Sequence, residues 1–189
     1  MDNQLTERSV VHPAGPVAYG SPEEGSAAGA DLAGALAAWA AAVTLLTAAD
    51  GRDDIGATVS AFCPVSADPP LILLSLMAGS YPAELFGRAE EPVTRFAVTL
   101  LSAGQRMLAG RFAAAGRPGA RLILDDVPHR RGPVSGALIA DGGLAALECA
   151  AQQVVPAGDH LLVIAQVIGV PYVTDSDEPL IRFRGHYLR

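Results

Sequence analysis

The sequence predicts an α+β protein built on an antiparallel β-barrel. Three observations predict it: many short apolar or alternating runs, Gly, Pro and Asp punctuating them at hairpin-like intervals, and few segments with helical periodicity. The chain has 189 residues, half of them hydrophobic, which suits one domain with a real core rather than two.

Residues 1–30 are rich in Gly, Ala, Pro, Ser and Glu without periodic apolar positions, and are predicted to form a flexible N-terminal tail to a domain spanning 31–189. Asp31 is placed to cap a helix in which Leu32, Leu36, Trp39 and Val43 recur at helical spacing. The chain then turns into a first strand at AVTLLTA, residues 42–48, closed by the Asp50-Gly51 turn signal. Residues 32–49 carry no charge and approach the length of a membrane span. Their abundant Ala and β-branched end fit a short helix running into a strand better. With no basic patch and apolar core at the N-terminus, the expectation is a soluble, cytoplasmic protein with no membrane partner.

A second strand is predicted over 55–63, with Ile55, Ala57, Val59, Ala61 and Cys63 on one face and Gly56, Thr58, Ser60 and Phe62 on the other. Asp68-Pro69-Pro70 then stops its ladder, stiffens the approach to the next strand and is expected to help shape a pocket mouth. LILLSL, residues 71–76, is apolar on both faces and should be central or covered. A short helix is predicted near Ser80, carrying Leu85 and Phe86, then a strand over 94–101 and a helix over 104–114 with Met107, Leu108 and Phe112. Residues 117–133 are less regular. Strands return at 143–151, from 160 onward and in the final PLIRFRGHYL.

Composition removes several kinds of chemistry. The formal net charge of −7 leaves no basic footprint for nucleic acid. Every basic residue is Arg, so mechanisms needing a Schiff-base or phosphate-loop lysine are excluded. Cys63 and Cys149 cannot build a disulfide scaffold or a zinc site unaided; both read as small buried residues in a reducing compartment. The four histidines lack metal-ligand spacing, and no HExxH, GxSxG or GxGxxG pattern is present. What remains is a ligand groove with small, polar walls. Thr58 and Ser60 fit either such a wall, where a flat ring approaches the backbone closely, or the solvent face of an antiparallel strand.

Four segments occur in an order that resembles a known family. AAVTLLTAADGRDDIGATVSAFCPVSADPPLILLSL, GALIADGGLAALECA, AGDHLLVIAQVIGV and EPLIRFRGHY are together similar to the flavin reductase-like, FMN-binding split-barrel family over residues 32–187. The resemblance implies an antiparallel split β-barrel with Greek-key character and a few short flanking helices. It implies hydride transfer from NADH or NADPH to FMN or FAD, with reduced flavin diffusing to a partner monooxygenase, and a homodimer with pockets near the subunit interface.

Residue by residue, the resemblance places the flavin ring along Thr58, Val59, Ser60 and Ala61, flanked by Val43, and its phosphate near Ser80, Tyr81 and Pro82. Relatives often carry Arg or Thr just after this Ser, where this chain has Tyr81-Pro82. Arg111, preceding Phe112, is a candidate replacement for that contact, and Ser80 also suits a helix cap. His160, in the GDH piece, is implied to be the catalytic residue, positioned by the nicotinamide and flavin edge; a histidine at a strand start is otherwise a surface residue. Tyr187 either closes the pocket or caps the barrel. Two other activities stay open: a flavin-binding carrier or sensor without turnover, and an oxidase of the pyridoxamine-phosphate type, to which the GDH and SADPP pieces are less similar.

Overall fold

The computed structural model describes residues 27–51, 54–88, 94–175 and 178–188. The expected tail lies outside the described residues as far as residue 26, and residues 27–30 already belong to the first helix, so that helix does not start at Asp31. In chain order the elements are α1 (Ala27–Ala37), β1 (Ala41–Ala42), β2 (Thr44–Ala48), β3 (Ile55–Val59), β4 (Phe62–Ala67), β5 (Pro70–Met77) and α2 (Tyr81–Gly87). They continue with β6 (Arg95–Leu100), a 3-10 turn (Ala103–Gln105), α3 (Arg106–Ala113), α4 (Ala120–Ile123), β7 (His129–Arg131) and β8 (Leu138–Ala140). Last come β9 (Ala145–Ala157), β10 (His160–Val173), β11 (Ile181–Phe183) and β12 (His186–Tyr187). The uncharged stretch 32–49 is thus divided among a helix and two strands. No helix among the described residues is long and apolar enough to cross a membrane.

Seven strands form one antiparallel sheet in the order β3-β2-β6-β9-β10-β5-β4. Its two edge strands, β3 and β4, are consecutive in sequence with only Ser60 and Ala61 between them. Two residues cannot span seven flat strands, so the sheet curls until its edges meet, as a barrel left open along a seam. This corrects the expectation of one continuous strand over 55–63. Val59 still pairs with Thr44 on one edge, whereas the Ala61 carbonyl accepts the Ser75 N–H at 2.9 Å on the other. The alternation persists through the crossing, but the hydrogen-bond partners change.

β2 is buried on both faces, which its TLLTA sequence satisfies with two leucines and two hydroxyls. Leu46 faces a barrel interior filled by Ile72, Leu74, Phe96, Val98 and Val163, in which Phe86 meets Phe96 edge-on at 5.1 Å. Burying each such side chain contributes about 1.5–3 kcal/mol. Leu45 faces outward into a second cluster with Leu108, Phe112, Ile123 and Leu124. The hydroxyl of Thr44 donates to the Val59 carbonyl at 2.7 Å, and that of Thr47 donates to Leu138, so neither is left unpaired. Val43 separates β1 from β2 and marks where the chain leaves the barrel for a small sheet, β1-β11-β12. Its N–H donates to Leu180 at 2.8 Å and its carbonyl accepts from Leu101 at 3.1 Å.

Three further expectations are corrected. Leu32, Leu36 and Trp39 do not pack on the chain; they are 57%, 64% and 76% exposed, while Val43 lies outside the helix and is buried. Cys63 sits on the exposed edge strand β4 rather than in the core; only Cys149 is buried. Asp68 and Pro69 form the turn between β4 and β5, at the opposite end of that hairpin from the seam, and are not among the residues that line the seam cleft.

Candidate functional site

The seam is where the molecule opens. A cleft of about 670 Å³ is lined there by Val43, Ala57, Thr58, Val59, Ser60 and Ala61 on one side. Ser75, Met77, Ser80, Pro82 and His160 line it from the β5 side, with Phe112, Arg117, Arg182 and Tyr187 completing the wall.

The β3 wall presents backbone as well as small side chains. On an edge strand of an antiparallel ladder, alternate residues direct N–H and C=O away from the partner strand. Here these are Gly56 and Thr58 of β3 and Asp54 just before it. The Asp54 carbonyl accepts from Ala120 N–H and the Gly56 carbonyl from Arg117 Nε, both at 2.9 Å. The outward N–H and C=O of Thr58 have no partner among the described residues, and Thr58 lines the cleft. An unpaired edge beside a small-residue wall can hydrogen-bond the heteroatoms of a flat ring that approaches it closely. Gly56, next to this wall on β3, packs closely against Phe112, which lines the cleft. A Cβ there would lie 2.3 Å from Phe112 Cε1, so only glycine lets the Phe112 ring close this end.

His160 begins β10, pairs with Met77 of β5 and follows a tight turn in which Gly158 adopts a positive φ of 62°. Its Nδ1 lies 2.7 Å from Asp159 Oδ1. A carboxylate only accepts, so this contact assigns the proton to Nδ1 and leaves Nε2 for another partner. The His160 hydrogen bond, then its charge, holds the Asp159 carboxyl below the usual carboxylate range.

Ser80 caps α2, accepting weakly from Ala83 N–H at 3.4 Å, and it also lines the cleft. Ten of the twelve residues singled out from sequence are gathered on this cleft. Tyr81 and Arg111 are the two that are not. The Tyr81 hydroxyl turns away and donates to Asp50 at 2.6 Å, a bond that raises its pKa. Arg111 pairs with Asp126 at 2.7 Å. The cleft arginines are Arg117 and Arg182, neither of which sequence reasoning singled out. Arg117 had only its place in a Gly-Pro loop as a signal; Arg182 had a strand position in the C-terminal segment.

A second cavity, also about 670 Å³, adjoins the first and shares Ser60, Ala61, Ser75, Arg182 and Gly185 with it. Its other walls are mostly apolar, including Leu36, Trp39, Phe62 and Leu73, with Arg184 the charged exception. Among the described residues, no group of three or more His, Cys, Asp or Glu is placed to hold a metal ion.

Fold and cleft together define a split-barrel protein with an open cleft at its seam. The chain belongs to the flavin reductase like domain family, which matches residues 36–189. It is 36% identical over 134 residues to the FMN reductase (NADH) SmoA of Agrobacterium fabrum, covering 71% of each chain. It is 34% identical to the reductase component of 4-hydroxyphenylacetate 3-monooxygenase of Thermus thermophilus, covering 82% of this chain and 92% of that one. Among solved structures it resembles BorF, the flavin reductase component of a bacterial two-component tryptophan halogenase. That similarity has a TM-score of 0.76 and 29% identity, over 85% of this chain and 96% of BorF. It also resembles the NADH:FAD oxidoreductase SgcE6 of Streptomyces globisporus in complex with NAD and FAD fragments. There the TM-score is 0.76 with 26% identity, over 92% and 96% of the two chains.

Proposed function

We propose that this protein is an NAD(P)H-dependent flavin reductase that takes hydride from a nicotinamide to FMN or FAD and supplies reduced flavin to a partner monooxygenase. The observation that carries this is the seam cleft: a small-residue wall with an unpaired backbone edge at Thr58, facing His160, in a chain of the flavin reductase like domain family.

When bound, the flavin supplies the hydride acceptor. Thr58 to Ala61 would hold its ring against the backbone, with Val43, Tyr187, Ser80 and Pro82 supplying other parts of the cleft wall. His160, oriented through Nδ1 by Asp159, offers Nε2 to hold the nicotinamide amide and align the two rings. No protein group needs to become covalent. A half-open cleft also suits a flavin that must leave after reduction, because a tightly held product would limit turnover.

The protein acts as a homodimer in this proposal. Leu36 and Trp39 are exposed and line the second, largely apolar cavity, and a second copy covering that face would bring the flavin cleft to the interface. Sedimentation of the wild type as a dimer and of Trp39→Glu as a monomer is expected; a monomeric wild type overturns it. A free, exposed Cys63 supports a reducing, cytoplasmic setting.

The activity is tested by mixing the protein with NADH and free FMN or FAD and following nicotinamide absorbance. Rapid NADH loss that requires added flavin is expected. A tightly yellow protein without turnover means a carrier or sensor instead, and oxidation of an amine without NADH means an oxidase of the pyridoxamine-phosphate type.

A further inference from the structure

We propose that Met77 is an oxidation site of the cleft. Hydrogen peroxide made from the reaction's own product converts its thioether to a sulfoxide and slows the protein. This rests on the reductase reading of the cleft and adds how turnover is restrained when nothing consumes the reduced flavin.

Strand register places Met77 beside the residue assigned to the nicotinamide. It ends β5 and pairs directly with His160 at the start of β10. Side chains opposite one another on an antiparallel pair point to the same face, with Cβ atoms about 4.5–5.5 Å apart. Both residues line the cleft. Ser75, two residues back on the same face of β5, lines it too, whereas Ile72 and Leu74 on the other face are buried in the barrel.

Core packing does not account for this methionine. Met77 is 63% exposed, so it adds little to the core and is open to small solutes. The chain has three methionines, of which Met1 lies outside the described residues. Met107, on α3, is 84% exposed but does not line the cleft. Exposure alone therefore makes Met107 the more reactive of the two, and only its place in the cleft favours Met77.

The established chemistry of reduced flavin supplies the oxidant. In air, dioxygen takes two electrons and two protons from it, giving oxidised flavin and hydrogen peroxide. The peroxide O–O bond then breaks as one oxygen bonds to the Met77 sulfur. The sulfur is oxidised by two electrons, and the second oxygen leaves as water. Peroxide formed in the cleft meets Met77 before solvent dilutes it, and an oxygenase that takes the reduced flavin removes the source. The sulfoxide is polar and larger than the thioether, and it stands opposite His160. Oxidation therefore weakens the use of NADH, and methionine sulfoxide reductase reverses it.

The test uses the full chain carrying Cys63→Ser, since Cys63 is exposed as well and its thiol would also be oxidised. One sample turns over NADH with FMN in air and darkness; another receives hydrogen peroxide alone, matched to the NADH consumed. Peptide mass spectrometry is expected to show a severalfold higher ratio of Met77 to Met107 sulfoxide under turnover. Added catalase should lower Met107 oxidation more than Met77 oxidation. KM for NADH rises by about three- to tenfold as Met77 is oxidised, with flavin affinity nearly kept. Methionine sulfoxide reductase returns KM to its starting value. Met77→Leu holds its own starting rate through turnover, whereas Met107→Leu loses rate as the parent does. Equal sulfoxide ratios in the two samples, or Met77 sulfoxide without a change in KM, overturn the proposal while leaving the reductase reading standing. A protein that consumes no NADH when flavin is added overturns both.

Discussion

The carboxylate of Asp159 lies 2.7 Å from Nδ1 of His160, at the turn that joins β9 to β10. The pair stands at the cleft's wall, so a residue outside the lining fixes the orientation of one inside it. Because the Asp159 carboxyl is held below the usual range, the interaction is present above its unfolded pKa and is lost only as pH falls through the lower folded value. Over neutral conditions His160 keeps its orientation.

His160→Ala is expected to lower kcat/KM for NADH by about ten- to a hundredfold, the range for a positioning or proton-donating side chain. Flavin affinity should be nearly kept, since the proposal assigns the ring to the β3 wall rather than to His160. Steady-state kinetics with varied NADH and a separate flavin titration check both halves. Unchanged kinetics would remove His160 from the mechanism.

Gly56→Ala should destabilise the protein through a clash with Phe112. The added Cβ would lie 2.3 Å from that ring's edge, and overpacking of this kind costs about 1–3 kcal/mol. Phe112→Leu in the Gly56→Ala background should recover part of the loss. Chemical denaturation of the two single variants and the double variant gives the coupling directly; additive effects would show the contact does not matter.

The two thiols should differ sharply in reactivity. Burial, and then the neighbouring Glu148 carboxylate, pushes the Cys149 thiol up to about 12, whereas Cys63 is exposed. Iodoacetamide at pH 8 is expected to modify one thiol in the native protein and two after unfolding, as read by mass spectrometry. The raised pKa also has a sign in stability. The buried neutral thiol contributes fully below about pH 9, its unfolded value. As pH rises toward 12 the unfolded chain releases its proton first, so stability falls by up to about 1.4 kcal/mol per pH unit.

Much of this was legible in the sequence, and the exceptions have physical causes. The strand runs, the Ser80 cap and His160 at a strand start are local features set by neighbouring residues. The seam was not legible, because Ser60 and Ala61 continue the alternation of 55–63 while their hydrogen-bond partners lie on strands distant in sequence. Arg111 looked suitable because it precedes Phe112. Successive residues on a helix point about 100° apart, so the turn that sends Phe112 into the cleft sends Arg111 out to Asp126. Arg117 reaches its place only through a carbonyl on β3 far earlier in the chain. The exposed stripe on α1 was periodic, but period alone says which residues share a face and not what covers it.

The central claim is tested most directly by one anaerobic experiment. The protein is mixed with NADH carrying deuterium at C4 and one equivalent of FMN, and both absorbance bands are followed. One flavin bleached per NADH consumed is expected, with a rate that slows on deuteration and slows further in His160→Ala. Flavin that stays oxidised while bound to the protein in the presence of NADH would contradict it.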